Sequence, residues 1–478
     1  MARKRSGHRR AHSALGIAPA PQNRYDAAGS GRRLSGWVAP GSGPNVAMSS
    51  GETLRNRMRD AIRNEWAARS AHRVWHVNLI GTGIIPRPRT KSESLKARLR
   101  QLWSAWTPYA DADGVLDYFG LQTLAVKTWL ASGECFVRLR PRRIDDGLDV
   151  PLQIQLLEPD MVPMSFNQTL PNGNRVRLGI EFDRIGRRVA YYMYRAHPGD
   201  DVRGEASLTE LARVDADQII HIFEPERPGQ IRGVIDFASV LAKLRGVMNF
   251  DDAVLTRQEL ANLFTMFIKS PASTGNAPLD PLTGRPYEQS SAGPVAGLEP
   301  GMSQELEPGQ EVQFSDPPDA GANYADYMRE QHMGISAGAG VPYELGTGDI
   351  RDVSDRVLRV VINEFRRHCE QRQWQIIIPT ICQRVRDAWA RAVLLAGLIT
   401  PDELADARDV LWSPQGWAYI NPTQDVSARI SEITSGLRAR GQSITDRGDD
   451  PDDVDTARAD DAAREKRLGL VVSNVEGA

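Results

Sequence analysis

Four groups of residues in this chain have types and spacings that invite a chemical reading. Gly334-Ile335-Ser336-Ala337-Gly338 matches G-x-S-x-G, in which a serine on a strained turn serves as an acyl-transfer nucleophile. That geometry needs a strand before the serine and a helix after it. Here residues 325–333 carry a helical pattern and Val341-Pro342 reads as a stop, so the order is wrong and chance in a Gly/Ser-rich stretch accounts for the match. Asp111-Ala112-Asp113-Gly114 opens like a calcium loop, yet the sixth and twelfth positions, which want Gly and Glu, hold Leu116 and Gln122. A turn with helix-capping aspartates is the expectation there. His368, Cys369 and Cys382 share one helical pattern without C-x-x-C or H-E-x-x-H spacing, so buried structural thiols are expected. No G-x-x-x-x-G-K-[ST] cradles a triphosphate, Gly81-Thr82-Gly83 is a bare turn, and paired carboxylates occur only in runs typical of solvated faces. The inventory names no catalytic residue, metal ligand or cofactor site, and it favours a structural or conduit protein over an enzyme.

Composition sets the frame for that reading. The chain has 478 residues, 59 Lys and Arg against 61 Asp and Glu, a net charge of −2 and three cysteines. Such a length suggests about three domains. Cys135, Cys369 and Cys382 cannot form a disulfide framework, which fits a reducing cytoplasm. No uncharged stretch approaches the ~20 apolar residues that span a bilayer, and the basic start lacks the apolar core of a secretory signal. A soluble, multidomain protein with no membrane partner is expected. The charge is uneven: residues 1–107 hold 20 Lys and Arg against 5 Asp and Glu, so a part of net +15 is followed by a remainder of −17.

Residues 1–50 are rich in Gly, Pro, Ser, Ala and Arg without aliphatic periodicity, and read as a disordered basic arm. Leu54, Met58, Ile62 and Trp66, then Val74 and Val77, recur at helical spacing and predict one or two amphipathic helices. Further helices are expected over 94–106 and through Leu116, Leu121, Leu124 and Trp129. The period then changes: 133–140 and 152–156 alternate as half-buried strands, 178–183 and 188–194 flank a hairpin turn, and 217–223 is one more strand. An antiparallel-rich α+β domain follows. A helix is predicted over 236–267, then a Pro/Gly/Ser-rich insertion, a strand over 311–314 and a helix over 324–335. The longest helix, 352–397, is capped by Asp352 or Ser354. Leu358, Val361, Ile362, Phe365, Trp374, Ile377, Ile381, Val385, Trp389 and Val393 trace its buried side, and Pro379 kinks it. A smaller helical block reaches Gly441, and the acidic tail beyond Asp446 is expected to fray.

Several segments together carry a family resemblance. Leu54-Arg55-Asn56-Arg57-Met58 leads to Asn78-Leu79-Ile80-Gly81-Thr82-Gly83. Gly133-Glu134-Cys135-Phe136-Val137-Arg138, Leu156-Leu157-Glu158-Pro159-Asp160, Gly179-Ile180-Glu181-Phe182-Asp183 and Arg227-Pro228-Gly229-Gln230-Ile231-Arg232-Gly233 come next. Leu298-Glu299-Pro300-Gly301, Gly340-Val341-Pro342-Tyr343-Glu344-Leu345, Glu364-Phe365-Arg366-Arg367 and Ile420-Asn421-Pro422 complete the series. In this order, from about Leu54 to Pro422, the chain resembles the portal proteins of tailed bacteriophages, the lambda-like group. Gly346, where that pattern leads to an aliphatic, and Asp352-Val353-Ser354-Asp355 depart from it.

The resemblance implies an α+β portal fold assembled as a ring of about twelve copies of the same chain. The ring sits at one capsid vertex of the virion after assembly in the host cytoplasm. It implies passage of double-stranded DNA without sequence specificity, driven by the terminase large subunit, and contacts with the major capsid and scaffold proteins and with head-tail connector proteins. On the same basis residues 51–230 are the wing, 231–266 and 315–341 the stem and 267–314 the clip. Residues 342–355 are the tunnel loop, 356–400 a long kinked wing helix, 401–441 the crown and 442–478 an acidic tail. Within the loop, Gly346, Thr347, Gly348, Asp349, Ile350 and Arg351 face DNA. The alternatives are another head-completion or adaptor protein, or a metal-dependent nucleic-acid-processing enzyme using Asp111 or Asp113. A conduit must not grip its cargo, since each phosphate neutralised by Lys or Arg adds salt-dependent affinity. Near-neutrality suits that demand, and the basic residues of 1–107 are then expected away from the channel wall.

Overall fold

Helix caps and a change of hydrophobic period organise the first half of the chain. The structure, a computed structural model, describes residues 42–200, 210–262, 266–269, 282, 311–314, 323–351, 353–419 and 421–470. Nearly all of the arm expected to be disordered, and most of the expected clip, lie outside these residues. Helices α1 (Gly51–Asn64) and α2 (Trp66–Ile80) are separated by the extended Glu65. Strand β1 (Ile85–Pro88) precedes α3 (Glu93–Trp106), whose cap Ser92 accepts from the Leu95 amide, and α4 (Tyr118–Ser132) is capped by Asp117 and stopped by Gly133 at φ 82°. Met58, Trp75, Leu79, Leu99, Trp103 and Trp129 point into one core, whereas Trp66, Val77 and Leu124, which the spacing places on the buried faces, are exposed.

The alternating segments form the expected antiparallel strands. Strand β2 (Glu134–Pro141) lies between β3 (Leu152–Leu157) and a later strand, β9. A five-stranded meander follows: β4 (Gln168–Thr169), β5 (Arg175–Arg177), β6 (Ile180–Phe182), β7 (Arg188–Met193) and β8 (Ala212–Asp215). Strand β9 (Ile219–Phe223) then returns to β2, with Phe136 opposite His221. Phe136, Val162, Ile180, Tyr191 and Val214 make a second core. With antiparallel sheets and segregated helices, the α+β class holds.

Helix α5 (Leu241–Asn262) is shorter than predicted, because Phe267 belongs to a strand. Strand β10 (Met266–Lys269) pairs antiparallel with β11 (Glu311–Phe314), and that ladder competes with helix for the Phe267-Ile268 pair. Helix α6 (Tyr324–Gly338) returns beside α5, where Phe250 meets the rings of Tyr324 and Tyr327 and the Tyr324 hydroxyl donates to Asp251.

After α7 (Tyr343–Thr347), helix α8 (Asp355–Arg372) starts three residues later than the sequence suggests; of its two candidate caps, Ser354 accepts from the Val357 amide, while Asp352 lies outside the described residues. Around Pro379, where the sequence predicts a kink or break, the chain forms a π-helical stretch, Gln373–Cys382, leading into α9 (Gln383–Leu395). Here the Gln383 amide bonds to the Ile378 carbonyl five residues back. The wider turn accommodates a residue that has no amide hydrogen and clashes with the carbonyl four residues before it. Trp374, expected on the buried side, is 51% exposed, because about nine residues after Phe365 it falls on the opposite helix face.

Helix α10 (Leu404–Arg408) and β12 (Val410–Ser413) join the first core. Strand β12 pairs with β1, Ile85 opposite Ser413, in a two-stranded sheet that tolerates Pro86 and Pro88 because each strand has a free edge. Helices α11 (Pro422–Thr434), α12 (Arg440–Thr445) and α13 (Pro451–Leu468) complete the described chain. The tail expected to fray is therefore helical over α13. Its boundary signals are favourable: Asp450 caps, Pro451 opens, Asp452 and Asp453 occupy the first turn, Lys466 and Arg467 the last, and Gly469 closes in the left-handed region. No helix among the described residues is long and apolar enough to cross a membrane.

Candidate functional site

The predicted tunnel loop is a short helix followed by a charge-paired turn. Pro342 has the fixed φ that starts α7, its carbonyl accepts from the Gly346 amide, and Gly348 at φ 75° ends the helix. The Ser70 hydroxyl on α2 donates to the Gly346 carbonyl at 2.6 Å, tying the loop to the first core. Thr347 donates to the Tyr343 carbonyl and accepts from the Asp349 amide. Asp349 is the hub: Arg351 grips it bidentately at 2.8 and 2.9 Å, the Tyr343 hydroxyl donates at 2.9 Å, and Arg329 on α6 stands 3.5 Å away. The Arg351 bonds, followed by the Tyr343 bond, hold its carboxyl well below the usual range. Ile350 projects into solvent. The structure thus brings Thr347, Asp349 and Arg351 into one hydrogen-bonded cluster, with Gly346 as anchor and Gly348 as turn. Both arginines converge on this one carboxylate, and Arg329 also donates to the Arg351 carbonyl, so the turn is cross-linked to α6.

A second constellation escaped the sequence reading. Glu134, the first residue of β2, and Arg232 are both fully buried. Arg232 Nε donates to the two Glu134 oxygens at 2.8 and 2.9 Å, and its remaining nitrogens reach the carbonyls of Val162, Leu178 and Pro159. The Gly233 amide donates to Glu134 Oε2 at 3.0 Å. Arg188 donates to His221 Nδ1, which leaves Nε2–H to donate to Glu134 Oε2 at 2.9 Å. Burial opposes the charge on Glu134, but Arg232 and then His221 hold its carboxyl far below the usual range. Burial lowers His221 to about 4, so it is neutral at pH 7. With every polar atom engaged, the group clamps β2, β9 and the segment entering α5. The only sequence signal was a glutamate placed before the apolar run Cys135-Phe136-Val137.

The motifs that invited chemistry are placed in structural roles. Ser336 sits inside α6 rather than on a strand-to-helix turn. Asp111 spends its carboxylate on the amides of Asp113, Val115 and Leu116, and Asp113 accepts from Gln155, so both organise the turn before α4. All three cysteines are buried and reduced, and burial pushes Cys369 up to about 12. Glu158, Asp160 and His197 cluster closely enough to hold a cation, but Arg55 and Arg59 already engage Asp160, and Arg59 and His197 engage Glu158.

Comparison with known proteins places the chain in a family. A family described as phage portal protein, lambda family, matches residues 30–373. The probable portal protein of Halomonas phage phiHAP-1 is 27% identical over an alignment covering 90% of this chain and 84% of that one. Portal protein B of Escherichia phage lambda is 21% identical, covering 92% of this chain and 89% of its own. Among solved structures, a chain from the neck of a native gene transfer agent particle computed with C12 symmetry aligns with a TM-score of 0.47 and 14% identity, covering 84% of this chain and 94% of that one.

Proposed function

The chain belongs to the lambda family of phage portal proteins, a structural family, and from that premise we propose that it forms a closed ring at one vertex of the phage head. Double-stranded DNA enters through the channel of that ring, driven by the terminase large subunit, and later leaves through it. The observation that carries this reading is the extent of the family match, which runs from before α1 into the π-helical stretch. In the ring, residues 51–230 form the wing, α5 and α6 the stem, 267–314 the clip that meets the motor and then the head-tail connector proteins, and 401–441 the crown. The major capsid and scaffold proteins surround the ring, which is assembled in the host cytoplasm and retained in the virion.

Residues 346–351 are the part of the chain that faces DNA. The bidentate pairing of Arg351 with Asp349 supports this, because a paired cation releases few counterions to a passing phosphate and so lets the duplex slide. Exposed apolar side chains on two helices, Leu255 of α5 and Val357 and Val360 of α8, are available for side-by-side subunit packing. Heterologous contacts of that kind close a ring when the rotation between neighbours closes. The test is genetic and biochemical: phage carrying an early stop codon in this gene should yield heads that lack packaged DNA, and supplying the chain in trans should restore filling. Normally filled heads without the chain would refute the reading.

A further inference from the structure

The strongly basic N-terminal part and the acidic C-terminal part of the chain meet at one place. Arg87 on β1 and Lys96 and Arg100 on α3 form a strip; the two α3 residues are four apart and share a face. One continuous segment, residues 448–453, lies across it. Arg87 donates to the carbonyls of Gly448 and Asp449. Lys96 pairs with Asp452. Arg100 pairs with Asp450, with Asp453 at 3.1 Å and with Asp452 at 3.6 Å.

Two further observations bear on how firmly the segment is held. None of the α13 residues is buried, so little apolar area secures it, and apart from the Arg87 bonds to backbone carbonyls the contacts are ion pairs whose carboxylates at Asp452 and Asp453 are exposed, which salt weakens. Beneath it lies a cavity of about 720 Å³ between Leu99, Trp103 and Phe119 on one side and Val454 and Ala457 on the other. A segment fastened mainly by charge beside a solvent-open groove is docked rather than packed.

We infer that residues 448–453 are an internal polyanion masking a phosphate-binding strip of Arg87, Lys96 and Arg100, and that duplex DNA is the external polyanion which fits the strip when the mask lifts. The strip offers clustered cations, and the segment supplies four carboxylates within five residues, Asp449, Asp450, Asp452 and Asp453. Duplex DNA presents one charge per ~1.7 Å and competes for the same donors. Tethering gives the segment a high effective concentration, so the strip is covered unless the tether is weakened. The masked state keeps the basic part of a DNA conduit from gripping its cargo. The choice of DNA rests on the portal reading; the mask itself rests on the contacts alone.

The experiment measures binding of a 30-base-pair duplex to the full-length chain by fluorescence anisotropy across salt. Asp450→Asn, Asp452→Asn and Asp453→Asn together keep the capping capacity of position 450 and remove the attraction. Affinity at low salt should rise at least about tenfold, and the salt slope should steepen by about 2, one increment for each cation that loses its carboxylate partners, Lys96 and Arg100. Adding Arg87→Gln, Lys96→Gln and Arg100→Gln should return binding to the parent level. A control with Asp460→Asn, Asp461→Asn and Glu465→Gln makes the same change in net charge further along α13 and should leave binding unchanged. No gain in the first variant, or an equal gain in the control, overturns the mask. On the parent chain, amide exchange over 448–455 should accelerate when salt is raised from about 50 to about 500 mM, and exchange indifferent to salt overturns it independently. Imaging the same samples separates the two proposals: rings without a DNA gain contradict only the mask, while monomers contradict the portal reading.

Discussion

Exchanging Glu134 for glutamine is expected to destabilise the fold by ~3–5 kcal/mol, read as a lower midpoint in urea unfolding at pH 7.5. The amide has nearly the shape of the carboxylate but none of its charge, so the Arg232 guanidinium is left fully buried without a counterion. Hydrogen bonds from Gly233 and His221 also lose a charged acceptor. The double exchange Glu134→Met with Arg232→Met should recover only part of the loss, since it removes both buried charges but leaves the carbonyls of Val162, Leu178 and Pro159 and the donors of Gly233 and His221 without partners. If the single exchange left the midpoint unchanged, the clamp would not hold the junction.

The same clamp sets an acid limit. His221 takes up a proton near 6.5 in the unfolded chain but only at about 4 in the folded one, so the unfolded state binds more protons between those values. Its contribution is intact above pH 6.5 and declines as pH falls toward 4, by about 3 kcal/mol in all. Glu134, whose folded value is depressed, contributes above the ordinary carboxylate range and loses that contribution only as pH falls through its own lowered value. Urea midpoints should therefore be level from pH 8 to 7 and fall steadily below about 6.5; a midpoint flat down to pH 4.5 would contradict the neutral buried histidine.

Gly233→Ala is expected to be comparably damaging, by ~3 kcal/mol, and to reduce the yield of folded chain. A Cβ at Gly233 would stand 2.0 Å from the Gly133 carbonyl oxygen, a backbone atom that cannot swing aside. Gly133 is constrained in turn: its φ is +82°, and a Cβ there would meet the backbone of Val234 at 2.6 Å. The two glycines let the end of α4 and the chain entering α5 touch directly, which places Arg232 over Glu134. Gly246→Ala provides the contrast. That residue lies within α5 with nothing near its would-be Cβ, and the exchange should stabilise by ~0.5–1 kcal/mol. Equal melting behaviour for the two alanine variants would refute the close approach.

Much of the fold was legible because its signals are local. Leu95, Leu99, Trp103 and Trp106 recur at helical spacing, Asp117 and Ser92 are strong caps, and Arg184-Ile185-Gly186-Arg187 marks a hairpin, so α3, α4, β6 and β7 could be read directly. What was missed depends on partners far along the chain. Glu134 and Arg232 are 98 residues apart, and nothing in either segment announces the other. Pro86 and Pro88 argue against a strand until β12 supplies an edge for them. Pro379 signals an interruption, but the π-helical form it takes, with Ile376, Ile377 and Ile381 buried in the first core, is set by tertiary packing that no local signal announces. The acidic run after Asp446 reads as a solvated tail because its countercharges, Arg87, Lys96 and Arg100, lie some 350 residues earlier. In the loop, Gly346, Gly348 and the pairing of Asp349 with Arg351 were within reach of a local reading, whereas the Arg329 and Ser70 contacts that hold them were not.

The central claim is that this chain works as a ring with an open channel. The most direct measurement is electron microscopy of the purified full-length chain, with native mass determination on the same sample. The account predicts closed rings of about twelve subunits with a central hole wide enough for a ~20 Å duplex, carried by heterologous contacts between neighbours. A chain that stays monomeric across concentration and salt, or that closes into assemblies without a central opening, would contradict it.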